Sequence, residues 1–199
     1  LSFVVITVET YRDHRALNWQ ERQKREIRHV ASQQIAEAVK HLLAPFFVVL
    51  HEIWKKNPKS ELVDLEKTNE ERYLLRALAR PEIRAEFQTM SLRVSPDVYP
   101  PRIWWEYFAE HASSGSAMLN SVAEKYSAYL SSETLAALED LRADEMVGLR
   151  LPRLKDIVMA NEHLPALTLE HALSGMRDYA ALDSMLRRVD ALLDLTERR

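Results

Sequence analysis

Ile27-Arg28-His29-Val30-Ala31-Ser32-Gln33-Gln34-Ile35-Ala36-Glu37-Ala38-Val39-Lys40-His41-Leu42-Leu43-Ala44-Pro45-Phe46-Phe47-Val48-Val49-Leu50-His51-Glu52-Ile53 is the stretch on which the fold turns. Its apolar residues recur at Ile27, Ala31, Ile35, Ala38, Leu42, Phe46, Val49 and Ile53. Steps of three and four trace one face of an α-helix. Gln34, Glu37 and Lys40 fall largely off that face. Pro45 interrupts the run. Proline lacks a backbone N–H and its ring crowds the preceding turn, so the helix is expected to kink or split there. Residues 42–50 are apolar on every side, the mark of a segment buried on every side. They are too few to cross a bilayer.

Upstream, Leu1-Ser2-Phe3-Val4-Val5-Ile6-Thr7-Val8 is a short apolar run. It is expected to be the end of a membrane-spanning helix over residues 1–10. About twelve to fifteen further apolar residues ahead of Leu1 would complete a span. Arg12, Arg15, Arg22, Lys24, Arg25 and Arg28 follow, against Asp13, Glu21 and Glu26. An excess of cations beside an apolar end is what the positive-inside rule expects of a cytoplasmic flank. Tyr11 and Trp19 suit an interfacial aromatic belt. The competing reading is a β-branched strand or core-packing segment of a soluble protein.

Composition bounds the rest. At 199 residues, 47% hydrophobic and 29% charged, the chain suits one globular domain, here residues 11–199. Only 3 residues are Gly, which disfavours turn-rich β folds and phosphate-cradling loops. There is no Cys, so disulfides, thiolate metal sites and a Cys nucleophile are excluded. A net charge of −3 argues against wholesale nucleic-acid binding. The charge is uneven. Residues 11–28 hold 6 basic and 3 acidic residues, and residues 133–199 hold 9 basic and 13 acidic. The basic segment therefore suits either the acidic half or anionic lipid.

Beyond residue 57 the pattern predicts shorter helices. Thr68, with Glu71 three residues on, reads as a capping box, and Tyr73, Leu74, Leu75, Ala77 and Leu78 follow. Arg80-Pro81 should break that helix and start the next, with Ile83 and Phe87 on one face. Residues 95–101 hold three prolines and read as a loop. A long helix should begin at Arg102, with Ser113-Ser114-Gly115-Ser116 allowing a break or close packing. Ser131 is the expected N-cap of a helix stopping near Gly148. An irregular or short helical stretch follows to Pro165. Thr168 should cap a final helix with a stripe from Leu169 through Met176 to Leu193.

Several spacings invite a chemical reading. Glu26 and His29 match Glu-x-x-His, half of a di-iron bundle site, and Glu106, Glu110 and His111 would be its partners. No second Glu-x-x-His occurs. His51-Glu52 lacks the second His of a zinc protease helix, so it reads as a polar pair near a helix end. Arg22 and His29 fit the Arg-x6-His spacing of helical ribonucleases of the HEPN class. Arginine is so dense there that a solvated basic face explains the match better. Trp104, Trp105 and Tyr107 form, with Phe108, the densest aromatic cluster. Adjacent residues point about 100° apart on a helix, so part of this cluster can reach an interface while the rest packs inward. Gly-rich phosphate loops and a Gly-x-Ser-x-Gly elbow are missing.

The sequence thus predicts an all-α bundle of about five to seven helices, organised on a long N-terminal helix kinked near Pro45. The expected role is that of a non-enzymatic, membrane-anchored cytoplasmic domain working through protein contacts or self-assembly. No metal, cofactor or small-molecule substrate is expected. The alternatives are a helical enzyme, metal-dependent or HEPN-like, and a soluble cytoplasmic adaptor that binds a helix or apolar ligand. The candidate interaction surface is Trp104, Trp105 and Tyr107. The candidate membrane-proximal segment is Arg12, Arg15, Arg22, Lys24, Arg25 and Arg28.

Overall fold

The stripe from Ile27 to Ile53 folds as a helix and belongs to a longer one. The structure, a computed structural model, describes the backbone of residues 2–56, 58, 62–67, 70–163, 167–174 and 178–197, and their side chains apart from residues 2–14, 16 and 65. Helix α1 runs Ser2–Lys56 and continues through Pro45 without splitting. The neighbours of Pro45 are buried: Leu42, Leu43, Phe46, Val49 and Leu50 are each at most 1% exposed. Ala44, Phe47 and Val48 are only half-buried, so the segment expected to be buried on every side keeps one side partly open, and packing on the covered side holds the helix together where proline has removed a bond. The side chains of residues 1–10, the expected end of a span, lie outside the described residues. Among the described residues, no helix is long and apolar enough to cross a membrane.

The remaining helices are α2 (Glu71–Leu78), α3 (Pro81–Phe87), α4 (Trp104–Tyr126), α5 (Ser132–Arg142), α6 (Leu154–Ala160), α7 (Leu169–Leu173) and α8 (Ala180–Glu197). Among the described residues the only extended pairing is a single antiparallel bridge, Ser91 to Thr168. The molecule is an all-α bundle organised on its first helix.

Helix α4 lies antiparallel along α1. Arg28 Nε donates to the Tyr129 carbonyl at 2.8 Å, and Gln34 Nε2 to the Tyr126 hydroxyl at 3.2 Å. Further along, Phe46 and Phe108 meet edge to face at 5.1 Å. Gly115 sits opposite Leu42 and Ala38. Of the two outcomes open at Ser113-Ser114-Gly115-Ser116, the helix therefore takes close packing. Helix α8 closes the other side. Ser184 and Arg188 reach Asp144 beyond the end of α5, and Arg84 of α3 pairs with Asp183.

Local signals were obeyed unevenly. Pro81 opens α3 at its first turn. Ser131 caps α5, accepting from the Thr134 N–H at 3.1 Å. Thr68 lies outside the described residues; α2 begins at Glu71, and Glu70 at its N-cap makes no side-chain bond. Helix α5 ends at Arg142, short of Gly148, which falls in a separate π-helical turn, Met146–Arg150. Asp144 causes that restart by accepting the Met146 N–H at 2.9 Å. The stripe from Leu169 to Leu193 is two helices rather than one. Ser174 is extended (φ −92, ψ 150), and its hydroxyl donates to the Glu170 carbonyl at 2.7 Å. Asp178 then accepts the Ala180 N–H at 3.2 Å and opens α8. A small polar side chain that bonds backbone competes with helix continuation, and the apolar stripe could not reveal this.

Candidate membrane-proximal and interaction surfaces

The basic segment is the part of α1 that the bundle leaves uncovered. Among the described residues, Ala31 is the first fully buried one of the helix, and Ile27 is half-buried. Every described side chain from 15 to 26 is exposed. At about 1.5 Å per residue, the helix N-terminal to Ile27 extends roughly 35–40 Å. Within it Arg22 pairs with Glu26 at 3.3 Å, and Lys24 with Glu21 at 3.1 Å. Arg25 donates to the Glu21 carbonyl at 3.4 Å. These are short-range surface pairs, each worth at most about half a kcal/mol. Arg28 differs, because its bond to Tyr129 fastens the base of the extension to the bundle. Arg15 is exposed, and the side chain of Arg12 lies outside the described residues. Leu17 and Trp19 are 59% and 61% exposed on the same stretch.

The aromatic cluster lies at the opposite end of the α1–α4 pair. Backbone, not a side-chain cap, fixes its entry: the Trp104 N–H goes to the Val94 carbonyl at 3.0 Å and the Trp105 N–H to Leu92 at 3.2 Å. These bonds satisfy donors that a helix start otherwise leaves open. Trp104 is 3% exposed and stacks at a tilt on Phe108 at 5.8 Å, so it is part of the core. Trp105 and Tyr107 are half-buried against that core. Of the expected interaction surface, these two keep an outward edge.

The spacings with chemical readings are scattered. Glu26 and His29 sit on the exposed extension, where His29 contacts Gln33 at 3.1 Å. Glu110 pairs with Arg102 at 2.8 Å. The antiparallel register sets Phe108 beside Phe46 and His111 beside His41, so Glu106, Glu110 and His111 lie roughly 18–30 Å along α1 from Glu26 and His29. The two halves of the imagined metal site do not meet. No group of three His, Asp or Glu is placed to hold a metal ion among the described residues. Arg22 and His29 share the exposed extension, and each is engaged by a neighbour on its own helix. His51 stacks on Trp54 at 6.2 Å, and Glu52 contacts Lys55.

One feature of the α1–α4 seam escaped the pattern reading. The His111 and His41 rings lie 5.9 Å apart, and Tyr107 meets His111 edge-on at 4.5 Å. The His111 Nδ1 is buried without a hydrogen-bond partner. Burial, then the nearby His41, pushes the His111 imidazole below the ordinary value, while Glu110 and the His41 carbonyl oppose this. That carbonyl is four residues before Pro45, so proline has deprived it of its helical donor. The signal was available: a proline inside a helix marks residue i−4 as a carbonyl in need of a partner.

A depression of about 360 Å³ opens between α3, α7 and the residue that precedes α8, lined by Pro81, Arg84, Ala85, Gln88, Glu170 and Tyr179. Its polar groups are engaged with one another. Arg84 pairs with Asp183 and lies over the Tyr179 ring at 4.8 Å, and Gln88 bonds Glu170 at 3.0 Å. Compared with family models, curated proteins and solved structures, the chain matches none.

Proposed function

We propose that this chain is the non-enzymatic, cytoplasmic helical domain of a membrane-anchored protein, acting through protein contacts or self-assembly. Residues 1–10 are, in this reading, the end of the membrane-spanning helix. The observation that supports it best is the uncovered N-terminal part of α1. A helix whose described side chains from 15 to 26 are all exposed contributes little there to the stability of its own bundle. Its cations suit the cytoplasmic flank of a span. The aromatic end of the bundle, Trp105 and Tyr107, is then turned towards partners in the cytoplasm. Fractionation of cells expressing the full gene product tests the reading. The protein should stay with membranes through high salt and alkaline carbonate and be released by detergent. Recovery in the soluble fraction would remove the membrane half of the proposal. Chemical crosslinking in the same cells tests the other half, and a chain that stays monomeric and uncrosslinked counts against it.

A further inference from the structure

We infer that the basic part of α1, residues 15–28, docks on anionic lipid headgroups and not on a second copy of the chain. This deepens the membrane reading above and rests on it. The stretch carries Arg15, Arg22, Lys24, Arg25 and Arg28 against Glu21 and Glu26, a net charge of +3. On a helix these five cations fall within an arc of about 180°, from Lys24 through Arg28, Arg25 and Arg22 to Arg15, with Glu21 inside the arc and Glu26 at its edge. A cationic face of this kind is complementary to a plane of phosphates and repels an identical face.

The core line argues against a helix packing there. Continued towards the N-terminus, the line of Ala31, Ile35 and Leu42 meets Arg28, Lys24, Glu21 and Leu17. The apolar stripe is thus replaced by charge where the bundle ends. A second line, through Trp19, Gln23, Glu26 and Val30, is likewise interrupted by polar residues, whereas a helix-pairing seam needs sustained apolar positions. Trp19, 61% exposed and flanked by Arg15 and Arg22 at steps of four and three, supplies the amphipathic ring that favours a headgroup layer.

Co-sedimentation of the 199-residue chain with vesicles tests this, using phosphatidylcholine alone and phosphatidylcholine with one-third phosphatidylserine. Binding should require phosphatidylserine and weaken with salt. The triple variant R22Q/K24Q/R25Q should bind about a hundredfold less, near fivefold for each cation removed. Its three side chains touch only their own helix, so the fold is kept. The variant R22K/R25K, which retains charge, should bind like the wild type, as should R153Q/K155Q on exposed positions elsewhere. Equal binding to both vesicles overturns the headgroup assignment while leaving membrane anchoring to the fractionation result. Dimerisation in solution that R22Q/K24Q/R25Q strengthens overturns it in favour of a second copy. Tighter binding to a DNA or RNA oligonucleotide than to the anionic vesicles overturns it in favour of nucleic acid.

Discussion

Gly115 of α4 faces Leu42 of α1 so closely that a Cβ added to the glycine would lie 2.6 Å from the Leu42 Cγ. The same Cβ would lie 3.0 Å from the Ala38 carbonyl oxygen. Leu42 is 1% exposed and cannot swing into solvent, and the carbonyl is fixed by its helix. Gly115→Ala gains helix propensity of about 1 kcal/mol. Overpacking a filled seam costs about 1–3 kcal/mol. The net expectation is destabilisation by up to about 2 kcal/mol, and more for Gly115→Val, read as a lower urea midpoint. Combining Gly115→Ala with Leu42→Ala should give less than the sum of the two single losses, because each relieves the other. Additive losses would show that the contact is not what limits the seam.

The long first helix was legible because its signal is repetitive: eight apolar residues keep one phase from Ile27 to Ile53. Pro81 and Ser131 were legible because their chemistry acts within one turn. What stayed hidden depends on which side of a residue is covered. Asp144 reads in the sequence as one more surface carboxylate, yet it is 3% exposed. Ser174 reads as a weak spot in a stripe, yet its backbone is extended and ends a helix. Trp104 and Trp105 are adjacent and chemically identical, and only packing separates the buried ring from the half-exposed one. The basic segment was legible as a charge pattern, but not as an uncovered helix, because nothing in its composition says where the neighbouring helix stops.

Asp144 holds three groups at once: the Met146 N–H at 2.9 Å, the Ser184 hydroxyl at 2.9 Å and the Arg188 Nε at 3.3 Å. Arg188 also donates to the Asp140 carbonyl. Asp144→Ala strands a buried N–H and hydroxyl and leaves a partly exposed guanidinium without its carboxylate. The expected loss is about 2–4 kcal/mol. Asp144→Asn keeps an acceptor for the N–H and should lose about half as much. Thermal unfolding followed by circular dichroism distinguishes them; equal losses would mean that charge, not acceptor geometry, dominates.

His111 makes the α1–α4 seam sensitive to acid. Its folded-state pKa lies below the ordinary value of 6.5, chiefly through burial and then through His41. The native state therefore binds fewer protons than the unfolded chain as the pH falls past 6.5. The stability held by neutral His111 is fully present above that pH and is lost as the pH drops towards the folded value. His111→Phe keeps the ring packing against Tyr107 and removes this dependence. The urea midpoint of the wild type should fall between pH 7.5 and pH 5.5 by more than that of the variant. Parallel curves would assign the acid sensitivity to other groups.

The uncovered part of α1 should be the first region a protease finds. Local opening is easiest where a helix makes few buried contacts, and every described side chain from 15 to 26 is exposed. An isolated helix of this length is marginal in water, so its backbone is often open to cleavage. Trypsin at low concentration should cut first after Arg22, Lys24 or Arg25 and stop before the bundle, where Arg28 is bonded to Tyr129. Mass spectrometry should find a persistent product beginning at or close to Glu26. Because every described side chain that is removed is exposed, that product should unfold at the same urea concentration as the intact chain. A first cut instead near Arg93 or Arg102, or a product of clearly lower stability, would mean that the N-terminal part of α1 is covered in solution.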